Sequence, residues 1–228
     1  MELVRRRPFG RGWGIAAVLV WGLTGCGGGA DTHEDGRPAS SSLPAAPPDP
    51  DTTLDAAAVR VALPDLPSMP AGWKPGVMPS SVREVPWTER CRPGNASRDC
   101  TLHSSRGLAQ YRPPGDAGTV DISLAAYPDR RTAGTAFKNV TGSRAAEGRE
   151  VSMPAVGNES GASSRPRAPY GGPSVSMTVR VGTAVATLTY QDADKNKDSA
   201  QVLLALTRMQ AQRLLQAEQG RTPTAAAR

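Results

Sequence analysis

The sequence predicts an α+β protein in which helices pack against an antiparallel sheet, as a single domain after a disordered tether. Two runs of strand-like alternation flank a glycine turn at residues 182–183, which is typical of a β-hairpin. A stretch of helical periodicity follows at about 199–219. Residues 27–58 consist mostly of Gly, Ala, Ser, Pro and Asp and have little apolar surface to bury.

The first 25 residues have the three parts of a bacterial export signal. A basic segment at 5–11 precedes an apolar run at 13–23, which is too short to span a bilayer. Small residues then lead into the lipobox Leu23-Thr24-Gly25-Cys26. We expect cleavage before Cys26 and a diacylglyceryl group on its sulfur. The two acyl chains of this group would suffice for stable anchoring. The alternative is a short uncleaved anchor with an incidental cysteine.

The anchor places the mature chain on the extracytoplasmic face of the cell membrane. The run Arg6-Arg7-Pro8-Phe9-Gly10-Arg11 also resembles a twin-arginine export motif. Export by that route would mean that the domain folds before it crosses the membrane. A basic segment of this kind equally serves the general secretory route, so both routes stay open.

Charge and compartment together exclude nucleic acid as a partner. The full chain has a formal charge of +6, and loss of four Arg and one Glu with residues 1–25 lowers it by three, to +3. A mildly basic envelope protein could attract anionic polymers or lipid headgroups, although a solvated surface explains the charge as well.

The three cysteines have separate predicted roles. Cys26 takes the lipid, which leaves Cys91 and Cys100 as a pair in an oxidising compartment, where a disulfide is expected. The loop it closes is short, so the bond would contribute roughly 2.5–3 kcal/mol. The alternative is a metal site that includes His103, but two thiolates and one imidazole fall one ligand short of structural zinc.

The sequence divides at about residue 59. Cys26 and a disordered tether occupy 26–58, and about thirty residues of this composition reach roughly 30 Å. The globular domain is predicted at 59–219, followed by a disordered tail at 220–228. Prolines exclude a long helix from the domain's first twenty or so residues. Four apolar residues there are expected to pack against the domain: Leu63, Leu66, Met69 and Trp73.

Two strands and a helix are predicted in the middle of the chain. Residues 107–111 form a candidate short strand, and 119–127 alternate strictly between apolar and polar positions. Asp129 is an N-cap candidate for a helix at about 130–140. The expected buried residues are Val120, Ile122, Leu124 and Ala126 of the strand and Ala133, Ala136, Phe137 and Val140 of the helix.

The most specific local signal is the hairpin. Glycine in the first position of a two-residue loop, Gly182-Thr183, suits a type II′ turn, and this turn fixes the register of the strands on either side. One face then carries the apolar pairs Val181/Ala184, Val179/Ala186, Met177/Leu188 and Val175/Tyr190. The other face is mostly polar, with Arg180/Val185, Thr178/Thr187 and Ser176/Thr189.

A final helix is predicted from 199 to 219, with Asp198 as its cap and Gly220 as its stop. Its apolar stripe is the expected cover for the apolar face of the hairpin. The stripe consists of Val202, Leu203, Leu206, Met209 and Leu214, while Arg208, Gln212 and Glu218 lie elsewhere.

No catalytic, cofactor-binding or metal-binding residue is predicted. His103 is the one histidine of the domain, and no nucleophile-elbow, P-loop or GxGxxG motif accompanies it. The acidic run 192–198 resembles a calcium loop but lacks its glycine and its terminal glutamate, so a polar connection is expected. The segment 157–173, with Arg165, Arg167 and Tyr170, is interpreted as a flexible loop that is either disordered or a binding loop.

Several segments resemble a family of lipoproteins of high-GC Gram-positive bacteria. They are PDLPSMPAGW at 64–73, the cysteine pair, AAYPDRRTAGTAF at 125–137 and VRVGTAVATLTY at 179–190. The chain is more loosely similar to the extracellular sensor domain of mycobacterial PknH-type kinases. The resemblance implies an antiparallel sheet backed by helices, of the Mog1/PsbP-like kind. That sensor domain has two disulfides, whereas this chain can form one, so no site residues carry over.

These observations predict a non-enzymatic module of the cell envelope that binds a small ligand or a partner protein, as a sensor or accessory protein. It needs no cofactor and meets the membrane through the anchor on Cys26. Two alternatives stay open from the sequence. One is an enzyme that acts on envelope material, and the other is a purely structural interaction lipoprotein.

Overall fold

The centre of the fold is an eight-stranded antiparallel sheet. A computed structural model describes residues 50–85, 103–115, 118–167 and 172–227 of the chain. The strands are β1 (Lys74–Pro75), β2 (Ser81–Glu84), β3 (Ser105–Arg112), β4 (Thr119–Ala126), β5 (Arg149–Glu150), β6 (Glu159–Arg165), β7 (Ser174–Val181) and β8 (Ala184–Gln191). Their order in the sheet is β1-β3-β4-β8-β7-β6-β5, and β2 also pairs with β3.

Three α-helices in the described part of the chain pack on this sheet: α1 (Ala56–Ala62), α2 (Arg130–Glu147) and α3 (Ser199–Glu218). Helix α3 packs on β7 and β8, and α1 lies between α3 and β3. Helix α2 packs on β6, β7 and β8. The predicted α+β fold, with an antiparallel sheet packed by helices, is therefore confirmed.

The hairpin forms as predicted. Met177 lies opposite Leu188 and Val179 opposite Ala186, which is the register that the turn requires. Gly182 has a φ of +51°, while Thr183 is not among the residues with positive φ, so the turn is of type II′. A Cβ on Gly182 would also overlap the Glu218 carboxylate, so glycine is needed here for space as well as for conformation.

The polar face of the hairpin is buried, which the sequence did not indicate. Thr178 is only 1% exposed and Arg180 only 7%. Burial is tolerated because the hydroxyl groups bind each other across the strands, Thr178 to Thr187 at 3.1 Å and Ser176 to Thr189 at 3.0 Å. The sheet is therefore covered on both sides at β7 and β8, by α3 on the apolar face and by α2 on the polar one.

Strand β4 and helix α2 match the sequence pattern closely. The four predicted residues of β4 are all buried, and the Asp129 carboxylate caps α2 by accepting from the Thr132 N–H at 2.7 Å. This bond holds the pKa of the Asp129 carboxyl below its usual value. The helix continues to Glu147, well past the predicted end, because the residues after Val140 are mostly compatible with a helix. Of the predicted stripe, Val140 is only half-buried.

Strand β6 corrects the prediction of a flexible loop at 157–173. Glu159–Arg165 pairs with β7 along its full length, and residues 168–171 lie outside the described part. The strand was missed because ESGASSR has small polar residues in place of an apolar alternation. Neighbouring elements stabilise this strand, since β7 provides its backbone partners and α2 packs on it.

Helix α3 begins and ends close to its predicted limits, and Gly220, with a φ of +68°, follows it. Two details differ from the prediction. Asp198 makes no side-chain cap bond. Glu218, which was predicted to lie away from the apolar stripe, is buried as well, and its carboxylate accepts from the Thr183 N–H at 2.9 Å.

The boundaries of the folded region also differ from the prediction. Leu54 is 1% exposed and Asp55 caps α1, so the folded part begins before residue 59. At the other end, residues 221–227 do not leave the domain as a disordered tail, because the Ala227 N–H donates to the Ser68 carbonyl at 2.9 Å. Residues 63–73 form an entry segment at the start of the domain, in which Leu66 is exposed while Leu63, Met69 and Trp73 are buried.

Some sequence predictions fall on residues that the structure does not describe. They are the signal peptide, the tether as far as residue 49, the lipidation site Cys26 and the disulfide between Cys91 and Cys100, which all stay predictions. Within the described ranges, none of the helices combines the length and the apolar character that crossing a membrane requires.

Candidate functional site

A cleft lies on the α2 side of the sheet, where the helix leaves β3 and β4 open. Its volume is about 320 Å³. The floor consists of side chains from β3, β4, β8 and β7. Met78, Pro79 and Ser81 line one side, and Arg144 of α2 lines another. The cleft therefore extends the buried polar face of the hairpin towards solvent.

A chain of hydrogen bonds orders the floor of the cleft. Gln110 on β3, Asp121 on β4 and Gln191 on β8 share one face, since side chains alternate along each strand. The Gln110 Nε2 donates to Asp121 Oδ1 at 2.8 Å, and the Gln191 Nε2 donates to Oδ2 at 3.3 Å. The Asp121 carboxylate is thus held between two amide donors, which fix its orientation and compensate part of its charge.

The same chain of bonds ties the edge of the cleft to its floor. The Gln110 Oε1 accepts from the Met78 N–H at 3.1 Å, and the Gly76 N–H donates to the Gln110 carbonyl at 2.7 Å. A Cβ on Gly76 would overlap the Gln110 side chain. Glycine at position 76 therefore lets this glutamine reach both Asp121 and Met78.

The end of the cleft nearest α2 is basic. The Arg144 Nη1 donates to Ser176 Oγ at 2.8 Å. Burial, and then repulsion from Arg165, lowers the pKa of the Arg144 guanidinium, which nevertheless remains charged at neutral pH. Arg165, which also lines the cleft, forms an ion pair with Glu147. Its buried Nε has no hydrogen-bond acceptor in the described structure.

The rim opposite the arginines is apolar. Leu108 is 39% exposed and Met78 is 55% exposed, and both line the cleft. Val77, next to Met78, is 80% exposed. The cleft thus offers cations and hydroxyl groups at one end and apolar surface at the other.

The lining groups are suited to holding a molecule by hydrogen bonds and charge. Among the described residues of the lining, Asp121 is the one carboxylate, and none is a histidine. His103 lies away from the cleft, with its ring edge-on to Tyr127 at a centroid distance of 6.4 Å. The described ranges contain no group of three or more metal-ligating side chains, and residues 193–195 of the acidic run form a 3₁₀ turn.

Most residues of this site were not predicted from the sequence. Arg165 was noted, but as part of a loop, and the other main residues were not singled out: Gln110, Asp121, Arg144 and Gln191. A signal was present in the polar positions of β4 and β8, which alternate with the buried apolar ones. It could not be used without knowing that β4 pairs with β8 and that α2 continues past residue 140.

Comparison with known proteins leaves the chain unassigned. No family model and no curated protein matches the sequence. Among solved structures, the chain is similar to the crystal structure of the extracellular domain of PknH from Mycobacterium tuberculosis. The match has 12% sequence identity and a TM-score of 0.34, and it covers 74% of this chain and 93% of that domain. This is a loose structural similarity, and it transfers neither a ligand nor an activity.

Proposed function

We propose that the chain is a lipid-anchored, extracytoplasmic module that binds a small ligand in the polar cleft and does not catalyse a reaction. The observation that carries this proposal is the cleft itself, a cavity of about 320 Å³ lined by convergent polar groups beside an apolar rim. Small-molecule sites are typically concave, largely apolar and equipped with a few well-placed polar groups.

The construction of the floor supports a preformed site. The three side chains of the Gln110–Asp121–Gln191 chain come from paired strands in the middle of the sheet, and their hydrogen bonds fix them before a ligand arrives. Rigid elements hold a site more precisely than loops do, and they reduce the entropic cost of binding.

The chemistry of the lining favours binding over catalysis. Acid–base catalysis commonly uses groups whose environments separate their pKa values. Among the lining residues that the structure describes, the one carboxylate, Asp121, already accepts from two amides, and the other polar side chains are hydroxyls, amides and guanidinium ions. These groups orient and neutralise a bound molecule.

The proposal is tested by filling the cleft. Ser123 lies on the floor and is half-buried, so tryptophan at this position would occupy the space that a ligand needs. The matched control is Gln201→Trp, at an exposed position of α3. The two variants and the wild type are immobilised, incubated with an extract of envelope small molecules and washed, and the retained compounds are identified by mass spectrometry.

We expect the wild type and Gln201→Trp to retain the same compound and Ser123→Trp to lose it. Circular dichroism and thermal unfolding establish that Ser123→Trp is folded. Equal retention by all three proteins would contradict the proposal, as would a wild type that enriches nothing.

Anchoring is tested separately at Cys26. Without this thiol no diacylglyceryl group can be attached, so Cys26→Ala should leave the membrane fraction or accumulate as an unprocessed precursor. Fractionation followed by mass determination of the chain distinguishes these outcomes. A cleaved Cys26→Ala chain that stays on the membrane as firmly as the wild type would contradict lipid anchoring.

A further inference from the structure

We infer that the ligand of the cleft carries an oxyanion, a phosphate or a carboxylate group, which binds at the end formed by Arg144 and Arg165, with an apolar part over the rim. The inference rests on the proposed function and adds the chemical class of the ligand. Four features of the structure lead to it.

The first feature is the Arg144 guanidinium, which forms no ion pair in the described structure, although the exposed Glu147 carboxylate attracts it at longer range. Arg144 donates to a neutral hydroxyl, Ser176 Oγ, and no carboxylate of the described structure lies within ion-pair distance of it. Arg144 is half-buried, and a cation withdrawn from water is costly unless it is paired. An oxyanion in the cleft would supply the missing charge and could accept from the guanidinium in a bidentate manner.

The second feature is the balance of charge along the lining. In the described part of the lining, two arginines, Arg144 and Arg165, stand against one carboxylate, Asp121, whose two oxygens accept from Gln110 and Gln191. Glu147 offsets part of the charge of Arg165 by an ion pair, but its side chain is 60% exposed and Glu147 does not line the cleft. The hydroxyls of Ser174 and Thr189 add neutral donors beside the arginines.

The third feature is a row of cations next to the cleft. Arg83 lies directly opposite Arg106, and Lys74 lies directly opposite Arg112. By strand alternation all four side chains project from the same face of the sheet as Leu108 and Gln110. Like charges directly opposite each other in antiparallel strands destabilise the pairing. These four cations therefore do not strengthen the strand pairing. They lie beside the cleft, where they raise the local concentration of anions.

The fourth feature is the exposed apolar rim of Met78 and Leu108. Exposed apolar side chains beside a polar cavity are typical of ligand-binding grooves. Together the two ends fit an amphipathic anion better than a free inorganic ion. A soluble organic phosphate and an anionic lipid headgroup share this chemistry.

The experiment uses the mature anchored chain in phosphatidylcholine nanodiscs and isothermal titration calorimetry. The probes are inorganic phosphate, hexyl phosphate and the neutral hexyl glucoside. We expect hexyl phosphate to bind more tightly than inorganic phosphate, and hexyl glucoside to bind least. Phosphatidylglycerol in the nanodisc distinguishes the two sources. If it competes with hexyl phosphate, the natural anion is a lipid headgroup; if it has no effect, the natural anion is a soluble molecule.

Two variants locate the anion. Arg144→Gln removes the half-buried charge but keeps a donor for Ser176, and it should weaken hexyl phosphate binding by about tenfold, since a charged hydrogen bond contributes at least about 1.5 kcal/mol. Lys138→Gln removes an exposed charge from the same helix and should leave the affinity unchanged. Weaker binding of hexyl phosphate by Arg144→Gln, with unchanged binding by Lys138→Gln, supports the inference.

Three results would overturn the inference. They are equal affinities of both variants for hexyl phosphate, hexyl glucoside binding as tight as hexyl phosphate, and no saturable binding of hexyl phosphate at millimolar concentrations. The proposed function is judged separately by the capture experiment with Ser123→Trp. If that experiment succeeds while hexyl phosphate fails, the cleft binds a ligand of another class.

Discussion

Replacing Arg213 with alanine is expected to lower the free energy of unfolding by about 3–5 kcal/mol. The guanidinium of Arg213 is buried and donates to three consecutive carbonyls at the end of α1, those of Val61, Ala62 and Leu63, at 2.9–3.2 Å. It also donates to Ser68 Oγ at 3.0 Å and to the Ala225 carbonyl at 3.1 Å.

Arg213 is costly to remove because its acceptors have few other partners nearby. A buried carbonyl that loses its donor costs about 1–3 kcal/mol, and a positive charge at the end of a helix also interacts favourably with the helix dipole. Of the three carbonyls, Ala62 keeps a second donor, since the Gln210 Nε2 lies 3.1 Å from it. The residue thus joins α1, the entry segment and the C-terminal residues to α3.

Urea unfolding of Arg213→Ala and Arg208→Ala provides the comparison. Arg208 lies on the exposed side of the same helix, so its loss should change stability by less than about 0.5 kcal/mol. Equal midpoints for the two variants would show that the contacts of Arg213 do not hold the entry segment to α3.

The second large effect is expected for Met177→Asp, which should cost at least about 4 kcal/mol. Met177 is 1% exposed and lies in the apolar core opposite Leu188. Aspartate there would leave a cavity and a carboxyl group without hydrogen-bond partners. A loss of this size is a large part of the total stability of a typical domain, so the urea midpoint of this variant should fall far below that of the wild type.

Thr178→Asp is the matched substitution on the other face. Thr178 is equally buried, but it bonds to Thr187 and lines a smaller cavity together with Arg144, which could pair with a new carboxylate. We expect a cost of about 1–2 kcal/mol, smaller than that of Met177→Asp but not negligible. A larger loss for Thr178→Asp than for Met177→Asp would contradict the assignment of the two faces.

Local chemistry explains which elements could be predicted from the sequence. A glycine first in a two-residue turn and strict alternation on both sides determine the whole register of β7 and β8, because slipping by one residue would exchange the faces. The periodic stripe of α3 and the N-cap of α2 are similarly local signals. The hairpin, α3 and the start of α2 were predicted within a few residues, whereas α2 continues well past its predicted end.

Elements that depend on distant partners could not be predicted in this way. Strand β6 lacks apolar alternation, and its order comes from β7 beside it and α2 above it. Residues 221–227 look disordered in the sequence, but they lie against the Ser68 region and Arg213. In both cases the stabilising partner lies on another element.

The cleft was the hardest feature to predict from the sequence, because its residues are spread over the chain. Gln110, Asp121 and Gln191 lie on three strands that become neighbours only in the folded sheet. Arg144 lies on the part of α2 that extends past the predicted end. Each residue alone looks like an ordinary surface side chain, and only the register shows that they converge.

The central claim is that the polar cleft is the binding site, and amide chemical shifts test it most directly. The mature chain, labelled with ¹⁵N, is titrated with hexyl phosphate, and the shifted amides are mapped onto the fold. We predict that the largest saturable changes fall in β3, β4 and β8 around Gln110, Asp121 and Thr189, and in α2 around Arg144. Changes centred on α3 or on the hairpin turn, with the cleft unaffected, would contradict the claim.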